Sequence, residues 1–429
     1  MRIAFVSPLP PAPTGIADYS ADVLRAIAAA HDVELFHGQD EVDAGALPAA
    51  APYFPARELW DRHAAHPFDV AVYQMGNGPA HAFLYEHLAR LPGLLILHDL
   101  VLHHARARML LDGPASRAYA ADPSSASLRE AALAEIDLYR EEIRYSYPQQ
   151  SDRLADAALE TIGTLLPYAY PLFRLPVEAS RAVAVHNGFM ERGVAAVVSG
   201  AAVARVVMPI SRVDVSPEAV AKTRRRHGIE DGEIVIGCFG LLTREKRIDS
   251  VARAVARALS LGARLRLLLV GPAPDPARIW KGLIELGLRD VAILTGRVSA
   301  EELPLYIETA DIVAHLRYPT ARETSAALLR VLAQGRATIA PDLRNLDEVP
   351  KHAVLRADVR DEEGETLRAI LRLAARPEER ERLGRAAAEF VAREHSLERC
   401  RASYAAALEL ARRSPARPRA DWPAHWKSA

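Results

Sequence analysis

The stretch Gly240-Leu241-Leu242-Thr243-Arg244-Glu245-Lys246-Arg247-Ile248 follows an apolar run over 234–239 and leads into a helical pattern that starts around Ile248. A glycine, a short cationic loop and a helix N-terminus suit a diphosphate, because an ammonium, a guanidinium and exposed N–H groups can all point at one place. Lys246 is the strongest single candidate, with Gly240 and Arg247 beside it. The competing account is a solvated charged loop, since lysine and arginine are routine at loop surfaces.

A second loop, His315-Leu316-Arg317-Tyr318-Pro319-Thr320-Ala321-Arg322-Glu323-Thr324-Ser325, precedes a helical pattern over 326–334 that Gly335 ends. Thr324 or Ser325 would cap that helix and leave further N–H donors for a phosphate or a sugar hydroxyl. Glu323 could accept hydroxyl hydrogen bonds, whereas capping alone is the plainer account of Thr324 and Ser325. A third loop, Pro8-Leu9-Pro10-Pro11-Ala12-Pro13-Thr14-Gly15-Ile16-Ala17-Asp18-Tyr19-Ser20, is stiffened by prolines. There Gly15 permits a backbone turn and close approach to a ligand just before a helix. The GxGxxG spacing of a dinucleotide fingerprint is absent.

His98, Asp99, His103 and His104 lie close together and raise the question of a metal. Neither CxxC nor HExxH completes a ligand spacing, so the reading is a hydrogen-bonding His98 with structural histidines beside it and no metal or cofactor. No DxD pair ends a predicted strand, which argues against a nucleotide held through a divalent ion.

These residues need strands to bring them together. Short β-branched or Leu-rich runs recur at 3–6, 33–36, 70–73, 94–97, 182–185 and 206–208. A second series follows at 234–239, 265–270, 291–294, 312–314, 337–340 and 353–355, and helical patterns separate most of the runs in both series. Continuously apolar strands alternating with amphipathic segments predict parallel sheets covered on both faces. The fold class is therefore α/β, with two facing Rossmann-like doubly wound domains over 1–210 and 211–394. The first carries a helical insertion at about 104–180. The insertion reads as extra core-covering helix, or as an acceptor-binding or membrane-surface element. Residues 395–429 are expected to form a crossover helix and a basic-aromatic tail with Arg417, Arg419, Trp422, Trp426 and Lys427. Such a tail suits either packing on the first domain or an interfacial membrane contact.

Ligands of open parallel sheets bind beyond the carboxyl ends of the strands. The polar strand-end candidates are Ser7, Gln74, Gly76, Asn77, His98, Asp99, His186 and Asn187 in the first half, and Gly240, Gly271, Gly296 and Arg317 in the second.

The composition, half hydrophobic and a quarter charged over 429 residues, is that of a globular chain of two or three cores. Fifty-four basic residues nearly cancel 55 acidic ones, giving a formal net charge of −1, so no general nucleic-acid coat is expected. Cys238 and Cys400 are too few for a disulfide framework, which fits a reducing, cytoplasmic compartment. The first run, 3–6, lacks the length of a signal peptide, and no apolar run approaches the roughly 18–20 residues that span a bilayer.

In order along the chain, SPLPPAPTGIADYS, LILHDLVLHH, FGLLTREKRI and LRYPTARETSAALLRVLAQG resemble the motifs of the retaining glycosyltransferases of the GT-B fold, family 4. The resemblance covers nearly the whole chain. It implies a nucleoside diphosphate sugar as donor, with Lys246 neutralising the diphosphate and His98 contacting the transferred sugar. Gly15 would bring a backbone amide near the phosphate or acceptor. Glu323, Thr324 and Ser325 would hold sugar hydroxyls and phosphate. Gly271 and the loop Gly296-Arg297-Val298 would meet the nucleoside, with Gln74, Asn77, Asp99, His186 and Arg317 on the acceptor or sugar side. His98, Lys246 and Glu323 are thus the expected catalytic set.

The family pattern has two glutamates eight positions apart in the last motif, where this chain has Arg322 and Arg330, with Glu323 offset by one. Leu241 stands where an arginine commonly follows the glycine, and Arg247 is the expected substitute. The expected function is a retaining, metal-independent hexosyltransferase acting on a glycan, lipid-linked or protein acceptor in the cytoplasm, with a peripheral contact at the inner face of the membrane as a further expectation. The alternatives are a catalytically silent scaffold of the same shape and a sugar-nucleotide epimerase.

Overall fold

The computed structural model describes residues 1–161 and 165–427. Three residues of the expected insertion and the last two of the tail lie outside the described residues. The chain divides into two compact units. One takes in Met1–Pro209, Ala321–Thr324 and the residues from Leu397 onward; the other takes Ile210–Thr320 and Ser325–Ser396.

The first unit is built on β1 (Arg2–Val6), β2 (Asp32–His37), β3 (Tyr53–Pro55), β4 (Val70–Met75), β5 (Leu94–Leu97), β6 (Ala182–Val185) and β7 (Val203–Arg205). All pair in parallel in the order β3-β2-β1-β4-β5-β6-β7. Every residue of β4 and β5 is buried, as sheets covered on both faces require. β3 was not expected, because Tyr53-Phe54-Pro55 is short and ends in a residue without an N–H. An edge strand tolerates that. The run expected at 206–208 lies just beyond β7, and Val206 N–H still extends the ladder to Val185 O at 2.9 Å.

The insertion folds as helices His103–Leu111, Pro114–Ala121, Ala126–Ser146, Ser151–Thr161, Leu166–Ala169 and Arg174–Ala179. Ser125 caps the longest of these by accepting from Leu128 N at 3.3 Å. The insertion does more than cover a sheet. Leu110, Tyr139, Ile143, Leu154, Ala158 and Leu172 give it an apolar cluster of its own.

Helix Leu397–Arg413 packs on helix Gly15–Ile27, β6 and β7, with Tyr404 and Tyr19 joined through their hydroxyls. Beyond it Trp422 and Trp426 are buried in the main core of this unit. The tryptophans of the basic-aromatic tail are therefore core residues and not a membrane contact: indole burial on the protein wins. Trp426 Nε1 donates to Glu142 Oε1 at 2.7 Å, His425 Nε2 lies 2.9 Å from the same oxygen, and Arg106 Nε donates to Glu142 Oε2 at 2.9 Å. The insertion and the tail are thus fastened through one buried carboxylate.

The second unit carries β8 (Ile234–Phe239), β9 (Leu265–Val270), β10 (Ala292–Leu294), β11 (Ile312–Ala314), β12 (Ala337–Pro341) and β13 (Leu355–Ala357). They pair in parallel in the order β10-β9-β8-β11-β12-β13. The last strand falls two residues later than expected. Helix Ile248–Ser260 turns Val251, Val255 and Ala258 onto Leu265, Leu267 and Leu269. In each sheet the order reverses beside its first strand, between β1 and β4 and between β8 and β11. Such a switch point opens a crevice at the carboxyl ends. Among the described residues, no helix is long and apolar enough to cross a membrane.

Burial alone would raise the Glu142 carboxyl, but the Arg106 charge and the bonds from His425, Arg106 and Trp426 outweigh it and hold the group at about 2. Glu142→Ala leaves the buried Arg106 guanidinium uncompensated and should lower the unfolding free energy by about 3–5 kcal/mol in denaturant melts. Because the folded carboxyl titrates below its ordinary 4.5, this contribution is present above that pH and should be lost as the pH falls toward 2.

Candidate functional site

At the carboxyl end of β8 the chain turns through Gly240, φ +104°, whose N–H donates to Val270 O at 3.0 Å. Gly271, φ +133°, ends β9 beside it, and a side chain there would stand 2.1 Å from Gly240 O. Only glycine fits so close an approach. Gly271 N–H in turn donates to Gly296 O at 3.0 Å, so three expected nucleotide-side glycines occupy adjacent strand ends. Lys246 closes the short turn Arg244–Lys246 and is buried, with Nζ 3.4 Å from where a Cβ on Gly240 would stand. Arg247, at φ +55°, sends its guanidinium the other way: Nε donates to Glu362 Oε1 at 2.8 Å. The expected pair is therefore split, with Lys246 beneath the glycine and Arg247 engaged by a carboxylate. Arg297 is exposed, and Val298 packs against the cluster of Val270, Tyr306 and Val313.

The loop after β11 lies against this turn, since Tyr318 N–H donates to Glu245 O at 2.8 Å. His315, the first residue past β11, was not among the sequence candidates; an imidazole between Ala314 and Leu316 reads as core. The signal that could have found it is its place at a strand end. Burial pushes its pKa well below the ordinary value, and the charges of Lys246 and Arg317 act in the same sense. Burial pushes the Cys238 thiol up to about 12 despite nearby Lys246.

Ser325 caps helix Ala326–Ala333, accepting from Leu328 N at 3.3 Å. Thr324 does not; its hydroxyl accepts from Asn187 Nδ2 at 3.1 Å. Asn187 itself caps helix Gly188–Val197 through Met190 N at 2.9 Å and also donates to Arg322 O at 3.1 Å. Arg322 adopts φ +68° and donates to Tyr168 O at 3.2 Å. The arginine at a glutamate position is thus employed in holding the segment Ala321–Thr324 within the first unit. Glu323, beside it, is buried, and Arg330 is half-buried in the last helical turn.

In the first unit Gln74, His98 and His186 form one chain across β4, β5 and β6. Gln74 Oε1 lies 2.8 Å from His98 Nε2, His98 Nδ1 lies 3.1 Å from His186 Nε2, and His186 Nδ1 lies 3.0 Å from Val206 O. A carbonyl only accepts, so His186 Nδ1 carries its proton and Nε2 is the acceptor. His98 Nδ1 must then donate, which leaves Nε2 to accept from the amide nitrogen of Gln74 after a half-turn of that amide. The opposite amide orientation would demand a buried imidazolium. Burial, followed by His186 and His81, lowers the His98 pKa well below its ordinary value. Both His98 nitrogens are therefore engaged inside the unit.

Asp99 Oδ2 accepts from Asn77 N at 2.8 Å, while Asn77 Oδ1 accepts from Ala105 N at 3.0 Å and steadies the start of helix His103–Leu111. At Gly76 a Cβ would come 2.2 Å from Ile16 Cδ1, so a larger residue there would need the Ile16 side chain to move. Gly15 opens its helix with nothing within 4 Å of a Cβ. Ser7 hydrogen-bonds Ser20 at 2.8 Å. His103 bonds Tyr170 O at 2.6 Å, and the His104 ring meets Tyr168 edge-on at 5.1 Å, so these two histidines belong to the insertion.

If the Gln74–His98–His186 chain is closed as described, the His98 ring resonances should stay constant from about pH 8 to about pH 5 in NMR titrations, whereas an ordinary histidine titrates in that span. A midpoint inside it would show the chain to be open.

Residues 233–376 match the family model described as Glycosyl transferases group 1. The chain is 28% identical over 138 residues to the alpha-monoglucosyldiacylglycerol synthase of Streptococcus pneumoniae, covering 32% of this chain and 31% of that one. It is 29% identical over 103 residues to the 2-deoxystreptamine glucosyltransferase of Streptomyces kanamyceticus, covering 24% and 27%. The matches thus span only about a quarter to a third of these curated relatives. Among solved structures, Anabaena Alr3699/HepE in complex with UDP and glucose superposes with a TM-score of 0.65 at 14% identity, over 95% of this chain and 99% of that one. WaaG, a glycosyltransferase involved in lipopolysaccharide biosynthesis, does so with a TM-score of 0.60 at 13% identity and the same coverage. The stretch that holds the Gly240–Lys246 turn and the β11 loop is therefore similar to the glycosyl transferases group 1, in a chain with the GT-B fold.

Proposed function

We propose that this chain moves a sugar from a nucleoside diphosphate sugar to a hydroxyl of a glycan, lipid or protein acceptor, with the diphosphate seated at the carboxyl end of β8. The observation that carries this reading is Lys246, an ammonium buried under a positive-φ glycine at a sheet switch point, just before helix Ile248–Ser260. Burial strengthens its field on an arriving anion, and the helix N-terminus adds donors of the same sense. The family match spans this turn. The Anabaena structure, which holds UDP and glucose, and relatives named for glucosyl transfer support the same donor class.

The reaction breaks the sugar C1–O bond while negative charge grows on the departing diphosphate. Lys246 and the preorganised N–H groups answer that charge without reorganising. We assign no protein nucleophile: retention follows from attack on the face the diphosphate leaves, the diphosphate helping to take the acceptor proton. Glu323 would hold sugar hydroxyls, the Gly296-Arg297-Val298 loop the nucleobase, and Asp99 the acceptor. Arg322 and Arg330 at glutamate positions favour one second reading, a nucleotide-binding scaffold without turnover.

A panel of nucleoside diphosphates should raise the melting temperature, and Lys246→Ala should abolish the shift and lower turnover by about 10²–10³-fold. Mass spectrometry of a mixed sugar-nucleotide panel should show released diphosphate. A thermal shift without release selects the scaffold, and absence of any shift contradicts the donor site.

A further inference from the structure

We infer that His315 takes up a proton when the diphosphate binds and so becomes a second positive charge, beside Lys246, facing the departing phosphate. The inference rests on the donor reading above. β11 pairs directly with β8, so His315, one residue past β11, stands at the same switch point as Gly240. Its backbone N–H is fixed to Ile339 O at 2.8 Å, and its loop is stitched to the Lys246 turn through Tyr318 and Glu245.

The ring is 4% exposed, and its Nδ1 is enclosed without a hydrogen-bond partner. Three other buried histidines place that nitrogen on a carbonyl, whereas His87, away from the β8 and β11 strand ends, leaves both its ring nitrogens without a partner. His81 places Nδ1 on Gln74 O at 3.0 Å, His103 on Tyr170 O at 2.6 Å and His186 on Val206 O at 3.0 Å. A buried polar atom without a partner calls for an explanation, and at His315 an anion arriving beside Lys246 would supply one.

The charged groups that act on the ring are Lys246, from the turn after β8, and Arg317, from its own loop. Of the adjoining strands, β12 carries the neutral Thr338 and β8 the neutral Cys238 thiol. Burial and two cations keep the free imidazole uncharged. A diphosphate brings several negative charges to the same place and reverses the balance, favouring the imidazolium. The proton comes from solvent and returns when the nucleoside diphosphate leaves; one N–H bond forms and breaks, and nothing else changes. Since His315 is neutral free and charged in the complex, affinity must fall as the pH rises through the pKa of the complex, by up to tenfold per unit.

Calorimetric titration of the full chain with uridine diphosphate and with guanosine diphosphate at pH 7.5, in one buffer of low and one of high ionisation enthalpy, reads proton uptake directly. The binding enthalpy should differ between buffers by an amount equal to uptake of up to one proton, and His315→Gln and His315→Asn should each bind with buffer-independent enthalpy. Binding of either nucleotide to the unaltered protein with the same enthalpy in both buffers overturns the inference and leaves the diphosphate site standing. Failure of both nucleotides to bind overturns the two together.

Discussion

The rest of the second unit's architecture depends on one close approach: Gly271 lies so near the carbonyl of Gly240 that neither strand end can carry bulk between them. That contact draws the ends of β8 and β9 together and leaves Gly240 in a left-handed conformation, beneath which the Lys246 side chain is stored. A parallel sheet places loops and helix N-termini at the same ends. The result is a cationic floor built by backbone geometry, with side chains added to it. The β11 loop completes it from the other side of the switch point.

Strand runs and helix patterns made the doubly wound plan readable, because continuously apolar segments have few alternatives to burial on both faces. Lys246 was readable for a local reason, a cation between a glycine and a helix start. Arg247 looked equivalent in the same string, and only tertiary structure separates them, since Glu362 lies more than a hundred residues away. β3 escaped because a proline-ended tripeptide carries almost no periodic signal. His315 escaped because a core imidazole and one at a strand-end crevice look alike in a sequence; what sets it apart is its place just past β11 with the Lys246 charge acting on it, which no pattern of residue types encodes.

Two of the residues singled out in the sequence have structural partners far along the chain. Arg322, where the resemblance leads one to expect a glutamate, donates to Tyr168 O within the first unit. His98 engages Gln74 and His186 through its two ring nitrogens. The tail shows the same preference for internal ties. Its tryptophans look interfacial in a linear reading, yet the buried Glu142 draws Trp426 and His425 inward. In each case a polar group with few local partners was satisfied by one distant in sequence, which is the kind of information a linear reading holds least of.

The most direct test of the account is a crystal structure of the chain grown with a nucleoside diphosphate. A phosphate oxygen should lie at a charge-assisted hydrogen-bond distance of about 2.7–2.9 Å from Lys246 Nζ, at the carboxyl end of β8. A diphosphate bound elsewhere, with Lys246 still enclosed beneath Gly240 and out of its reach, would contradict it.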